Sequence, residues 1–216
     1  MREVSASFRR RGIGGVDAGR FADAWRRRYS PAMEEVRSGR HPFVPLDLLH
    51  LENLRDTLAG FGIGPDGWPE EELETLNRAW HRLDPWPDAV EGLGRMKAGL
   101  VIAPLSNGNV SLLLDMAKRA GLPWDAILGA EVVRAYKPSP DAYLKTAALL
   151  GLPPGDIVMV AAHNGDLSAA RRCGMRTAFV PRRTEHGPGQ VTDLEPLEDW
   201  DFVAPDFVEL ARQLAA

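Results

Sequence analysis

The segment GLVIAPLSNGNVSLLLDMAKRAG, residues Gly99–Gly121, contains the transition that decides the fold. Its first half is an apolar run rich in Val, Ile and Leu, which predicts a buried strand over Leu100–Leu105. Ser106 and Asn107 follow directly, and the apolar spacing beyond them predicts a helix over Val110–Ala120. A buried strand followed at once by a helix is the repeating unit of α/β proteins, so we expect a parallel sheet covered by helices.

The same alternation continues to the carboxyl end of the chain. The other predicted helices are Ala89–Lys97, Asp141–Leu150, Leu167–Cys173 and Pro205–Leu214, and the other predicted strands are Ala130–Val133, Ile157–Ala162 and Thr177–Val180. In open parallel sheets, binding sites form where the strands end at their carboxyl edges. Polar residues at the ends of these strands are therefore the first candidates for a site.

The first part of the chain has a different pattern, with no convincing strand. Apolar residues recur at helical spacing in VDAGRFADAWRRRYSPAMEEVRSG and PLDLLHLENLRDTLAGFGI. PEEELETLNRAWHRL opens with a proline and acidic residues, which helix N-termini favour. The sequence therefore predicts a helical bundle over residues 1–84 and an α/β unit over residues 85–216.

Composition excludes several classes of function. The chain has 216 residues, 44% of them hydrophobic, which is enough to bury the core of one domain with a small satellite. A net charge of −4 gives no indication of a nucleic acid or an anionic membrane as partner. Apolar runs stay below membrane-spanning length, and residues 1–11 resemble a charged helix more than a signal peptide. The single cysteine, Cys173, excludes an internal disulfide, and we expect a soluble, cytoplasmic protein.

Ser106 and Asn107 are the first polar residues at a predicted strand end. Both are favoured types at helix N-caps, so a purely structural role competes with a role in a site. A serine hydrolase is disfavoured, because Ser106 lacks the Gly-x-Ser-x-Gly turn that exposes such a nucleophile.

Lys137, in AYKPSPDAY, lies beyond the next predicted strand, and Pro138 and Pro140 restrict the backbone around it. The ordinary alternative is a solvated loop lysine. A lysine fixed at the edge of a sheet would instead keep a neighbouring carboxylate ionised and oriented.

The segment DIVMVAAHNGDLSAARRCG places two candidates on one short loop, His163 and Asp166. Asp166 has the alternative of capping the following helix. His163 has the alternative of an inert surface histidine, but an imidazole in this position can accept a proton from water near neutral pH.

Three ordered segments resemble motifs of one family. LSNG at 105–108, YKP at 136–138 and VAAHNGD at 160–166 resemble the second, third and fourth motifs of the haloacid dehalogenase (HAD) superfamily. More narrowly, the chain resembles the type II, or (S)-2-haloacid, dehalogenases. WRRRY, which starts at Trp25, is similar to their cap-helix segment, and TAFVPRRTEHGPGQ to their closing strand and loop.

The resemblance implies an α/β fold with a HAD-like Rossmannoid parallel-sheet core and a helical-bundle cap. The family's nucleophile is an aspartate in a first-motif strand, and no such motif precedes Arg2. In this fold that strand is central, so its absence leaves two strand edges unpaired, which is costly when they are buried. We therefore expect that Met1 is an internal methionine and that the natural protein begins upstream.

The resemblance also implies roles for individual residues. Lys137 would orient the nucleophile, Asp166 and His163 would orient or deprotonate the hydrolytic water, and the substrate and halide would be held by Arg26, Ser106 and Asn107. The substrate would be a small 2-haloacid, with no cofactor and no metal. Members of the family are commonly homodimers, and we expect the same here.

Two alternatives remain open at this stage. Phosphatases of the superfamily carry an acidic magnesium ligand four residues before the last acid of the fourth motif, and this chain has Ala162 there. Because Mg²⁺ requires oxygen ligands, this departure disfavours a metal-dependent phosphatase. A non-catalytic HAD-like binding protein is the second alternative, since the nucleophile motif is missing.

Overall fold

The structure, a computed structural model, describes residues 1–215. The chain divides into two compact units, the first being Met1–Leu83 and the second beginning at Asp84. Among the described residues, every helix is too short or too polar to cross a bilayer.

Every regular element among the described residues of the first unit is a helix. Its α-helices are α1 (Arg2–Arg10), α2 (Ala18–Arg27), α3 (Tyr29–Arg37), α4 (Leu46–Gly60) and α5 (Glu70–Asn77), with 3₁₀ turns at Pro65–Gly67 and Arg78–Arg82. Asp17 caps α2 by accepting a hydrogen bond from the Arg20 amide at 2.7 Å. Gly62, with φ of +72°, takes the left-handed conformation that follows α4.

The core of the first unit is apolar and rich in aromatic rings. Phe21, Leu54 and Leu58 are fully buried. The rings of Phe8 and Phe21 meet edge-on with centroids 5.0 Å apart, a geometry that aromatic pairs favour. The helical spacing seen in the sequence thus corresponds to one shared core.

The second unit alternates helices and short strands. Its helices are α6 (Ala89–Lys97), α7 (Val110–Ala120), α8 (Ala130–Val133), α9 (Pro140–Leu150), α10 (Asn164–Arg172) and α11 (Phe207–Leu214). Its strands are β1 (Leu105–Ser106), β2 (Leu128–Gly129), β3 (Val158–Ala161), β4 (Arg176–Phe179) and β5 (Phe202–Val203). A 3₁₀ turn at Pro154–Asp156 precedes β3.

All strand pairs in the second unit are parallel, as expected, but they form two separate sheets within residues 84–215. β1 pairs with β2 in one sheet, and β3, β4 and β5 pair in that order in the other. The expected alternation of helices and parallel strands is present. The predicted strand over Leu100–Leu105 is largely wrong, because only Leu105 lies in a regular ladder. Upstream of it, Ile102 exchanges hydrogen bonds with Asp125 on one side.

The predicted strand Ala130–Val133 is also wrong, since these residues form the short helix α8 and the strand ends at Gly129. At Gly129 the chain runs so close to the next loop that an added Cβ would lie 2.7 Å from the Gly108 carbonyl oxygen. This contact requires glycine and ends the strand. Helix α10 likewise begins at Asn164, three residues before the predicted start at Leu167.

Candidate active site

A partly buried ion pair joins two of the predicted catalytic residues. Lys137 Nζ lies 2.5 Å from Asp166 Oδ2, with side-chain exposures of 17% and 14%. The other carboxylate oxygen, Oδ1, accepts a hydrogen bond from Tyr143 Oη, also at 2.5 Å. Burial, the Asp166 charge and this hydrogen bond together raise the pKa of Tyr143 far above its ordinary value, so the phenol stays a donor. Asp166 is thus held as an oriented carboxylate.

Asn107 fixes the backbone of Lys137 from the end of β1. Its Oδ1 accepts a hydrogen bond from the Lys137 amide at 2.7 Å, and its Nδ2 donates to the Lys137 carbonyl at 3.4 Å. Ser106 acts locally, because its Oγ accepts a hydrogen bond from the Gly108 amide at 3.0 Å. Hydrogen bonds therefore connect three segments: Asn107 follows β1, Lys137 lies in the loop after α8, and Asp166 lies in the first turn of α10, after β3.

His163 is the residue immediately before α10, and Glu185 contacts it from the loop that follows β4. His163 Nε2 lies 2.9 Å from Glu185 Oε2. The hydrogen bond to Glu185 raises the pKa of His163, and the charge of Glu185 adds to this effect against the opposing effect of burial. The His163 side chain is 46% exposed, so solvent screens this pair more than it screens Lys137 and Asp166.

Asn164 anchors the same loop to the start of α10. Its amide N–H and side-chain Nδ2 both donate to Asp193 Oδ1, at 2.8 and 2.9 Å. Its Oδ1 accepts from the Leu197 amide and from Trp200 Nε1, at 2.9 and 3.0 Å. Because Asn164 is 5% exposed, this network is buried and fixes the loop beside His163.

A cavity of about 940 Å³ in the second unit is lined by Lys137, His163 and Asp166. Segment 99–105 and strand β3 also line it, and both are apolar. β1 pairs with β2 on one side, and β3 pairs with β4 on one side. Within residues 84–215, the other edge of each of these two strands has no strand partner. Residues of β1 and of β3 both line this cavity. The three polar residues thus lie at the end of a space bounded by two strands.

Of the six predicted site residues, five lie in the second unit. Lys137, His163 and Asp166 share the cavity, while Asn107 and Ser106 follow β1 beside Lys137. The sixth, Arg26, lies in the first unit on α2, as an exposed side chain that follows the buried Trp25. The roles of all six residues stay predictions.

Sequence reasoning missed Tyr143, Glu185 and Asn164. A usable signal existed for Tyr143, because a tyrosine on the buried face of a helix needs a partner for its hydroxyl. Glu185 lies 22 residues beyond His163, in a Gly/Pro loop without periodicity, and nothing local indicates their contact.

Similarity to known proteins identifies the family to which this parallel α/β unit and its lysine–aspartate pair belong. Residues 9–174 match the haloacid dehalogenase-like hydrolases, and the chain belongs to that family. A solved defluorinating L-2-haloacid dehalogenase is 53% identical, with a TM-score of 0.96 and coverage of 100% of this chain and 87% of that one. A second L-2-haloacid dehalogenase structure is 44% identical, with a TM-score of 0.90 and coverage of 99% and 92%.

Among curated relatives, the (S)-2-haloacid dehalogenase of Xanthobacter autotrophicus is 34% identical over 136 residues, which is 62% of this chain and 52% of that enzyme. The matched part thus spans about half the length of this relative. The resemblance inferred from the three motifs is confirmed.

Proposed function

We propose that this chain forms the core and cap of an (S)-2-haloacid dehalogenase, which replaces the halogen at C2 of a small haloacid with a hydroxyl group. One observation carries the proposal: the partly buried pair of Lys137 and Asp166 lies at the end of a cavity bounded by two strand edges. The names of the similar proteins support this choice of substrate.

The nucleophile in this proposal is an aspartate on an additional parallel strand that occupies the cavity between β1 and β3. Such a strand would pair with both edges and satisfy their backbone groups. Its carboxyl end would lie beside Lys137, because parallel strands end at the same edge.

The reaction follows from this arrangement. The aspartate oxygen attacks C2, the carbon–halogen bond breaks with inversion, and the halide leaves with the bonding electrons. Water then attacks the carbonyl carbon of the resulting ester, which releases the 2-hydroxy acid and a proton and regenerates the carboxylate. Negative charge moves from the carboxylate to the leaving halide during the displacement, so preorganised cationic donors that face the halide lower the barrier to this step.

Individual roles follow from the contacts. The Lys137 ammonium orients the attacking carboxylate, and Asp166, which accepts from both Lys137 and Tyr143, keeps that ammonium in place. His163 positions or deprotonates the hydrolytic water. Ser106 and Asn107 hold the substrate carboxylate, and Arg26 receives the halide. We further propose that the hydrolysis needs no metal, and that the protein is a cytoplasmic homodimer.

A phosphatase is the second candidate, because one similar protein is the phosphoglycolate phosphatase of Neisseria meningitidis, 30% identical over 127 residues. Ala162, which lines the cavity, offers no oxygen ligand where that class needs one. Release of phosphate from phosphoglycolate in the presence of Mg²⁺, without release of halide from haloacids, would favour this candidate.

Halide release from (S)-2-chloropropionate tests the proposal, with the (R)-enantiomer as the control substrate. The 216-residue chain is compared with an extended form, to which an N-terminal strand carrying the nucleophilic aspartate has been added. We expect turnover by the extended form and little or none by the 216-residue chain. No halide release from either form, with both folded, would favour the non-catalytic alternative.

Two lysine variants of the extended form separate the site from general charge effects. Lys137→Ala should lower turnover by about two to three orders of magnitude, because the oriented ammonium is lost. Lys145→Ala is the matched control, since this exposed lysine of α9 pairs only locally, with Asp141 at 2.8 Å. Equal rates for the two variants would mean that Lys137 has no part in catalysis.

A further inference from the structure

His163, Glu185 and His186 form a cluster of potential metal ligands. One ligand atom from each residue lies within 4.8 Å of the others. The imidazole planes of His163 and His186 are stacked, with centroids 6.3 Å apart and an angle of 6° between them. Glu185 accepts a hydrogen bond from His163 at 2.9 Å, so the carboxylate already contacts one of the imidazoles.

We propose that these three residues bind a divalent transition-metal ion of the Zn²⁺ type. Two imidazoles and one carboxylate are a ligand set that such ions accept, with the remaining position open to water. Mg²⁺ does not suit the set, because it prefers oxygen ligands and retains much of its water.

The distances require only a small closure of the cluster. Zinc bonds of about 2.1 Å in a tetrahedron place ligand atoms about 3.4 Å apart. The ligand atoms now lie within 4.8 Å of one another, so each separation between them needs to shorten by roughly 1.4 Å at most when the ion binds. Both histidine side chains are exposed and Glu185 is partly exposed, so rotations of the side chains can supply this change.

The loop that carries Glu185 and His186 is anchored on both sides of the cluster. Upstream, Arg182 forms two hydrogen bonds with Asp88, at 2.8 and 2.9 Å, in a pair that is 12% and 14% exposed. Downstream, Asp193 accepts from the buried Asn164. Within the loop, the His186 amide donates to Gln190 Oε1 at 3.0 Å. The ligands are thus held near one another before any ion binds, which reduces the entropic cost of binding.

His163 connects the cluster to the cavity described above, because it lines that cavity as well. A bound ion would therefore coordinate His163, the residue that positions or deprotonates the hydrolytic water in the proposed reaction. This consequence rests on the proposed function, whereas the binding itself does not.

Isothermal titration of the 216-residue chain, prepared without a histidine tag, tests the proposal. ZnCl₂ should bind at one site per chain, and MgCl₂ should give no comparable heat. His186→Asn and Glu185→Gln should each weaken Zn²⁺ binding by about tenfold or more, because loss of even an outer-shell partner costs 10–100-fold. His41→Asn, which changes a histidine of the first unit, and Cys173→Ser should bind as the wild type does.

Wild-type affinity in His186→Asn, or a loss in Cys173→Ser of the same size, would overturn the assignment. Misfolding of a variant is excluded by its circular dichroism spectrum. A second measurement needs no variant: the imidazole nitrogen signals of His163 and His186 in the NMR spectrum should shift on addition of Zn²⁺ while those of His41 stay unchanged. Unshifted signals at saturating Zn²⁺ would also overturn it.

Discussion

Protonation of His50 should make the first unit unstable in mild acid. The His50 side chain is 5% exposed and packs between two rings, Trp80 at 5.0 Å and Tyr29 at 5.6 Å between centroids. Among residues 1–215 its Nδ1 has no hydrogen-bond partner. Burial lowers the pKa of His50 from 6.5 to about 4, because the nearby charge of Asp47 only partly offsets the loss of water.

The sign and size of the effect follow from this shift. The pKa is lower in the folded state than in the unfolded state, so the unfolded chain takes up the proton first as the pH falls. The free energy of unfolding therefore decreases below a pH of 6.5 and levels off near the folded value of about 4. With these two values, His50 alone removes about 2 kcal/mol between neutral pH and about pH 5.

The assay compares wild type with His50→Phe, which keeps an aromatic ring in the core but cannot titrate. Urea unfolding at about pH 7.5 and about pH 5 gives the two free energies, and hydrogen exchange of peptides from α4 assigns them to the first unit. The wild type should lose about 2 kcal/mol more than the variant over this interval, because contributions from distant groups cancel in the difference.

His41→Asn is the control and should lose as much as the wild type. His50→Gln is a second non-titrating variant in case Phe does not fit the core. If either His50 variant folds and still shows the wild-type pH dependence, the burial of a neutral His50 is not what limits stability in acid.

Two further predictions concern the second unit. Tyr143→Phe should lower the free energy of unfolding by about 2 kcal/mol, because the variant removes a buried hydrogen bond to the charged Asp166; urea unfolding measures this, and an unchanged midpoint would contradict it. Gly92→Ala should cost about 3 kcal/mol, because its Cβ would lie 2.3 Å from Phe207 Cβ and force α6 away from α11. The matched control is Gly94→Ala in the same helix, where nothing lies within 4 Å, and it should stabilise by about 0.5–1 kcal/mol in thermal unfolding. Equal effects of the two glycine substitutions would show that helix propensity, and not the contact with Phe207, decides the result.

Helices were predictable from the sequence where both ends carry local signals. Ala89–Lys97 and Val110–Ala120 have the predicted bounds, and Gly121 ends the second of them with φ of +70°. Strands were less predictable, because a strand exists only where a neighbour pairs with it. The apolar run before Leu105 has the composition of a strand, but only its last residue enters a ladder within the described part of the chain.

The candidate site was predictable as a set of strand ends, and its pairwise contacts were not. The rule that parallel strands end at one edge brought Lys137 and Asp166, 29 residues apart, into one prediction, although the strand predicted before Lys137 is helix α8. The partners Tyr143 and Glu185 depend on the rotation of α9 and on the path of an irregular loop. Neither is encoded in a local pattern, so only the three-dimensional structure identifies them.

Asn107 illustrates how the contacts change the meaning of a predicted residue. The resemblance assigns its amide to the substrate, yet both ends of that amide bind the backbone of Lys137. A substrate contact therefore requires Asn107 either to use its remaining hydrogen-bonding capacity or to release Lys137. Since the Lys137 ammonium is itself held by Asp166, its position depends on both residues. These contacts therefore predict that Asn107 affects the reaction first by holding Lys137 in position, and only second through any contact of its own with the substrate.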